Sequence, residues 1–98
     1  MITVTLYSRP DCHLCHETEV HLASLREQYP HTLRVVDVDS REDLRKAYGE
    51  KIPVVEVGGY RLMAPITRQQ LEMTLGAAQE RVAGGSDPGA ELRQIAHL

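Results

Sequence analysis

Two cysteines, Cys12 and Cys15, are the residues of this chain whose type and spacing most clearly suggest chemistry. Two residues separate them, so on a helix they lie one turn apart and their sulfurs can reach each other. A thiolate at Cys12 can attack a substrate disulfide, and Cys15 can then attack Cys12 and release the reduced product. The spacing therefore predicts thiol–disulfide exchange, with Cys12 as the nucleophile and Cys15 as the more buried partner.

The position of Cys12 at the junction between a strand and a helix favours its thiolate. Unpaired N–H groups and the positive end of the helix dipole stabilise a negative charge at such a position. Arg9 lies close in sequence, can add positive charge, and is a candidate substrate-binding residue. Asp11 has two interpretations, because its carboxylate disfavours the thiolate if it points at the sulfur but caps the helix if it accepts from N–H groups.

One of the histidines near the pair, His13, is a candidate for adjusting its redox potential. His13 lies between the two cysteines. A cationic imidazole there would favour the reduced thiolate form and make the couple more oxidising. An exposed imidazole would change the potential only slightly, and the sequence favours neither interpretation. His16 is predicted to lie at the surface, as are His21 and His31.

The first half of the chain predicts the elements that hold the cysteines. Residues 2–7 are rich in β-branched side chains and alternate apolar with polar ones, which predicts a strand. Residues 12–29 predict a helix that Pro30 ends, because apolar side chains recur every three or four positions. Its expected buried stripe consists of Leu14, Thr18, Leu22, Leu25 and Tyr29.

The second half predicts three more strands, at residues 33–38, 52–57 and 60–62. Gly58-Gly59 between the last two is typical of a hairpin turn. A short helix that Gly49 ends is expected after the second strand, and the last helix has an apolar stripe at Leu71, Leu75, Ala78 and Val82. Two residue pairs predict capping boxes at the starts of these helices; they are Ser40 with Asp43 and Thr67 with Gln70.

The predicted order is β-α-β-α-β-β-α, an α/β fold with a four-stranded mixed sheet and three helices. A strand–helix–strand start predicts that the first two strands are parallel, with a right-handed crossover. We expect one domain over residues 1–83, because a breaker-rich stretch begins at Gly84. Residues 84–98 are expected to form a flexible C-terminal tail.

Composition excludes several classes of function for this chain of 98 residues. Eleven basic and 14 acidic residues give a net charge of −3, which argues against a nucleic-acid-binding surface. No stretch approaches the roughly 18 apolar residues of a membrane span, and no signal peptide is visible, so a cytoplasmic protein is expected. Two cysteines in such a chain are not a structural disulfide framework, so their proximity indicates chemistry.

The first strand leads into the segment Tyr7-Ser8-Arg9-Pro10-Asp11-Cys12-His13-Leu14-Cys15-His16, a helix follows, and Ile52-Pro53 opens a later strand. Together these features resemble the glutaredoxin family of the thioredoxin-like superfold. The resemblance covers roughly residues 2–82 and is nearest to small bacterial glutaredoxin-like proteins. It implies a thioredoxin-like fold and a dithiol disulfide oxidoreductase. It also implies a disulfide-containing protein or small molecule as substrate, with glutathione or a thioredoxin-reductase-type enzyme as reductant.

The resemblance further implies that a cis peptide bond precedes Pro53 beside Cys12. The backbone of Ile52 would then be free to pair with an incoming peptide or thiol, strand to strand. Ile52 and Pro53 are therefore expected to bind substrate. A trans proline that simply starts a strand is the structural alternative.

The chain departs from the family in two places. His13-Leu14 stands between the cysteines where Pro-Tyr is common. The stretch after the fourth strand, residues 63–67, lacks the Gly-Gly and acidic residue that usually hold glutathione. We therefore expect no resident cofactor and poor use of glutathione, with a thioredoxin-reductase-type donor or a dedicated protein substrate as alternatives.

Four other functions could use these residues. Cys12, His13, Cys15 and His16 offer zinc ligands, although structural zinc sites usually draw ligands from two separated segments. Two chains could also share an iron–sulfur cluster through Cys12. The C-x-x-C-H pattern matches covalent haem attachment, but that chemistry needs an exported chain. A non-enzymatic redox sensor would differ from an enzyme only in its slow turnover.

Overall fold

Strands and helices follow one another along the chain in the predicted order. The structure is a computed structural model that describes residues 2–83. The strands are β1 (Ile2–Ser8), β2 (His31–Asp37), β3 (Val54–Val57) and β4 (Tyr60–Met63). The α-helices are α1 (His13–Ser24), α2 (Glu42–Tyr48) and α3 (Arg68–Ala83), and a short 3₁₀ turn, Val38–Ser40, precedes α2. The predicted tail at 84–98 lies outside the described residues.

The sheet has the strand order β2-β1-β3-β4, with β1 parallel to β2 and antiparallel to β3. This confirms the predicted mixed four-stranded sheet and the parallel first pair. Gly58, at φ 57°, forms the turn between β3 and β4 together with Gly59. A positive φ suits glycine because it has no Cβ, and the predicted hairpin is therefore confirmed.

The core lies between one face of the sheet and the helices α1 and α3, which pack against β1 and against each other. In β1, alternate side chains enter this core because successive residues of a strand point to opposite faces. Val4 and Leu6 are fully buried there, with Val55 and Val57 beside them on β3. Leu71, Leu75 and Ala78 of the stripe predicted for α3 are buried in the same core cluster. Helix α2 has no buried residue.

Helix α1 is shorter than predicted and begins with an exposed residue. It ends at Ser24, where the Leu25 N–H is shared between the carbonyl oxygens of His21 and Leu22, both at 3.1 Å. Such shared bonds tighten the last turn, so the chain leaves the helix before Pro30. Thr18, Leu22 and Leu25 of the predicted stripe are buried, but the prediction for Leu14 was wrong, since 55% of it is exposed.

Of the two predicted capping boxes, one is absent and one is present. No capping box forms at Ser40 and Asp43, because the Ser40 hydroxyl donates to the Asp37 carbonyl in the 3₁₀ turn and Arg41 is the N-cap of α2. The box at Thr67 and Gln70 is present, with reciprocal bonds of 2.9 and 3.1 Å.

His31 was predicted at the surface and is buried, with 4% of it exposed. It is the first residue of β2 and pairs in register with buried Ile2 of β1. Its Nδ1 lies 2.7 Å from the carbonyl oxygen of Tyr29. The parallel pairing turns this side chain toward the core, a direction that local sequence does not reveal.

In the described part of the chain, no helix has the length and apolar character needed to cross a bilayer.

Candidate active site

Cys12 begins helix α1 as its N-cap residue. A turn after β1 is closed by the Cys12 N–H, which donates to the Arg9 carbonyl at 3.0 Å. The Cys12 backbone is extended, and its Sγ accepts a hydrogen bond of 3.1 Å from the Cys15 N–H. A first-turn N–H aimed at the sulfur also stabilises a thiolate in the reduced protein. Asp11 therefore does not cap this helix, and its side chain is exposed in the preceding turn.

The two cysteines form a disulfide with their Cα atoms 5.2 Å apart. Cys15 is 2% exposed, whereas Cys12 is only partly buried. This confirms the prediction that Cys15 is the more buried of the two. A partly exposed sulfur followed one turn later by a buried sulfur suits a pair in which the first meets the substrate.

The Ile52–Pro53 peptide bond is cis, as predicted. The Pro53 side chain is fully buried, and its carbonyl oxygen accepts a hydrogen bond of 3.0 Å from the Ala64 N–H. This bond ties the segment before β3 to the segment after β4. The Ala64–Pro65 bond is also cis, which the sequence analysis did not predict. Ile52 itself is half-buried and lies just before β3.

A small cavity of about 80 Å³, which we call the proline groove, lies between α1 and these two proline segments. Leu14 and Thr18 border it from the helix, and the Thr18 hydroxyl donates to the Leu14 carbonyl at 3.0 Å. The full lining is Leu14, Glu17, Thr18, His21, Pro53, Ala64, Pro65 and Ile66. The exposed Leu14 is thus part of a mostly apolar cavity wall. The helical periodicity predicted that Leu14 is buried and did not indicate this role.

A second cavity, of about 240 Å³, borders both cysteines, and we call it the polar pocket. It lies between α1, the turn after β1 and the end of β2. Its lining residues are Ser8, Arg9, Pro10, Cys12, Cys15, His16, Glu19, Val35 and Asp37. Unlike the proline groove, it has charged groups from each of the three elements that form it.

Arg9 of the polar pocket is held by an ion pair. Its Nε lies 2.8 Å from Oδ2 of Asp39, and its Nη2 lies 3.2 Å from Oδ1. The hydrogen bonds from Arg9 lower the pKa of Asp39, and the same bonds raise the pKa of Arg9. The Asp39 N–H in turn donates to Asp37 Oδ1 at 2.8 Å. Arg9, which the sequence predicted to bind substrate, therefore lies close to the cysteines, and its guanidinium is paired with Asp39.

The two histidines that flank Cys15 have different surroundings. His13 is exposed, and its Nε2 lies 3.1 Å from Glu17 Oε2, an (i, i+4) pair on the surface of α1. His16 is exposed, as predicted, yet it borders the polar pocket together with both cysteines. From the sequence, His13 and not His16 is the candidate for modulating the pair. The spacing of four from Cys12 to His16 is the signal that places the two on one face of the helix.

Within residues 2–83, no three or more His, Cys, Asp or Glu side chains come together in a group able to hold a metal ion. The four adjacent residues considered as zinc ligands therefore do not converge, and the two cysteines bond to each other.

Comparisons with known proteins agree with this geometry. The model of a family described as glutaredoxin-like domain (DUF836) matches residues 3–76. The crystal structure of protein XcR50 from X. campestris is 35% identical, covers 76% of this chain and 96% of that chain, and superposes with a TM-score of 0.66. No curated protein matches the chain.

More distant structures show the fold alone. Protein Ne2328 from Nitrosomonas europaea is 24% identical over 74% of this chain and 89% of its own, with a TM-score of 0.64. A thioredoxin mutant from Halobacterium salinarum is 18% identical over 79% of this chain and 74% of its own, with a TM-score of 0.65. The chain therefore has a thioredoxin-like fold.

Proposed function

Because this chain belongs to the glutaredoxin-like domain family, we propose that it is a dithiol oxidoreductase that reduces or exchanges disulfides through Cys12 and Cys15. The observation that carries the proposal is the disulfide between a partly exposed Cys12 and a buried Cys15 at the start of α1. A redox-active pair needs one accessible sulfur to meet the substrate and a second within reach to release it.

The reaction has two exchange steps. The Cys12 thiolate attacks one sulfur of a substrate disulfide, forms a mixed disulfide, and the other substrate sulfur leaves with the electron pair and takes up a proton. Cys15 then loses its proton and attacks Cys12, and the remaining substrate sulfur leaves as a thiolate. The substrate gains two electrons and the pair loses two, so a thiol donor must reduce the Cys12–Cys15 disulfide again.

The proline groove is the surface on which we propose that the substrate docks. Its wall combines the exposed side chain of Leu14 with Pro53, Pro65 and Ile66. Ile52 lies beside it, ahead of the β3 ladder, where its backbone can pair with an extended peptide. An apolar wall next to an unpaired backbone segment suits a peptide disulfide with apolar flanking residues.

The redox partners follow from the same chemistry. We propose a disulfide-containing protein or small molecule as substrate and a thiol reductant, either glutathione or a thioredoxin-reductase-type enzyme, in the cytoplasm. Glutathione carries two carboxylates, and the described lining of the proline groove offers no Lys or Arg to pair with them. We therefore favour the reductase-type donor.

Trapping the mixed disulfide tests the proposal. Each single Cys→Ser variant is incubated with a peptide disulfide and analysed by intact mass. We expect Cys15→Ser to accumulate the adduct, because Cys12 still attacks but nothing resolves it, and Cys12→Ser to form almost none. Equal adduct formation by both variants would refute the assignment of roles, and no adduct in either would refute the activity.

A further inference from the structure

His16 borders the polar pocket together with both cysteines. We propose that His16 is the proton acceptor for Cys15, taking up the thiol proton when Cys15 attacks Cys12. This inference rests on the proposed disulfide exchange and adds to it the group that makes the second step fast near neutral pH.

Cys15 needs such a group because it is buried. Only 2% of the residue is exposed, and an apolar environment disfavours the thiolate that must form before attack. The polar pocket is a cavity of about 240 Å³ that borders Cys15, and a water occupies roughly 30 Å³ in the liquid, so several waters fit there.

The helix brings the imidazole of His16 to this pocket. The His16 N–H donates to the Cys12 carbonyl at 3.1 Å, so His16 lies one turn after Cys12 on α1. Helical side chains lean toward the N-terminus, so His16 lies over Cys12 in the preceding turn, and the pocket connects it to Cys15. His16 also remains exposed, so a proton that it accepts can pass on to solvent.

The other charged groups of the pocket are less suited to this step. Arg9 has no acceptor and is paired with Asp39. Asp37 already accepts the Asp39 N–H at 2.8 Å, and it is a carboxylate like Glu19, which is a weak base toward a thiol. Imidazole is the side chain that exchanges protons most readily between about pH 5 and 8.

The proton and electron balance closes without an added reactant. The Cys15 proton moves to neutral His16 through pocket water, and the Cys15 electron pair forms the bond to Cys12 Sγ. The bond between Cys12 and the substrate sulfur breaks, and that sulfur leaves with its electron pair. Protonated His16 then gives the proton to the leaving thiolate or to solvent.

A stopped-flow reaction with 5,5′-dithiobis(2-nitrobenzoate) separates the two steps. Attack by Cys12 on the reduced full chain releases a first equivalent of coloured thiolate, and attack by Cys15 releases a second at a rate independent of reagent concentration. For His16→Gln we expect the second phase to slow at least about tenfold near neutral pH and to gain rate only at higher pH, since general-base catalysis contributes about 100-fold or more. The first phase should change much less.

Two measurements distinguish proton transfer from a structural effect. Val20→Gln changes an exposed position of the same helix that borders neither cavity, and it should keep the wild-type pH dependence of the second phase. Added imidazole should restore the second phase in His16→Ala, since the polar pocket is open to solvent. A His16→Gln variant with the wild-type rate and pH profile, or no rescue by imidazole, would overturn the role of His16. If the wild type never releases the second equivalent, the proposed function itself fails.

Discussion

The proline groove and the polar pocket flank the same helix and differ in the chemistry of their walls. Leu14, Glu17, Thr18 and His21 of α1 border the groove, and Cys12, Cys15, His16 and Glu19 border the pocket. Both sets have the spacing 0, 3, 4 and 7, and they are offset by two residues. Two residues correspond to about 200° around a helix, so the cavities lie on nearly opposite faces of α1.

This arrangement would separate the proposed docking of substrate from the proposed proton exchange. The groove side is completed by two prolines and other apolar residues from the segments before β3 and after β4. The pocket side is completed by polar residues from the ends of β1 and β2, among them Ser8, Arg9 and Asp37. A substrate seated in the groove therefore leaves the pocket open to water. We infer that one helix can serve both tasks because its two faces meet different parts of the sheet.

The largest expected effect compares two substrates at the groove. An apolar peptide disulfide should be reduced with a kcat/KM about 100-fold higher than glutathione disulfide, because burying unpaired carboxylates against an apolar wall costs several kcal/mol. The measurement follows dithiol consumption at matched substrate concentrations. Equal kcat/KM values, or rapid saturable turnover with glutathione as sole reductant, would contradict an apolar docking surface.

A charge placed on the groove wall should have a smaller effect. Leu14→Asp should lower kcat/KM for the peptide disulfide about tenfold, since losing roughly 1.4 kcal/mol of apolar contact changes binding by that factor. The matched control is Val20→Asp on the same helix, because Val20 is 54% exposed, Leu14 is 55% exposed, and Val20 borders neither cavity. Both variants should keep the wild-type melting temperature. A similar loss of activity in the two variants would remove Leu14 from the docking surface.

The smallest expected effect lies on the pocket side, at the Arg9–Asp39 ion pair. Hydrogen bonds from Arg9 hold the pKa of Asp39 below its usual value, so the pair adds stability above the unfolded carboxyl pKa of about 3.9. That stability is lost as the pH falls through the lowered folded-state pKa. Asp39→Asn should therefore be slightly less stable than the wild type at pH 7 and equal to it in strong acid.

Denaturant unfolding at neutral and acidic pH measures this difference, and added salt should reduce it because the pair is exposed. Asp43→Asn is a control for exposed pairs in general, since Arg41 lowers the pKa of Asp43 in the same way outside either cavity. If the difference in unfolding free energy between the wild type and Asp39→Asn grew as the pH fell, it would contradict the stabilisation expected from this ion pair.

Local sequence determined most of the fold and the reacting pair. The order of elements, the Gly58-Gly59 turn and the Thr67–Gln70 cap follow from short-range patterns, and the structure has each of them. The spacing of Cys12 and Cys15 alone places their sulfurs one helical turn apart, which is why their bond was foreseeable. These features depend on residues within a few positions of one another, so neighbouring residues are sufficient to specify them.

Tertiary structure decided which faces of these elements are covered. Leu14 continues the apolar spacing of α1, yet it borders a groove, because the proline segments that pass it lie far along the chain. His31 is buried because β2 pairs with β1, and His16 borders the cysteines because the ends of β1 and β2 close a pocket over one face of α1. Periodicity shows that side chains share one face of an element. Whether that face is covered depends on packing partners from distant parts of the sequence.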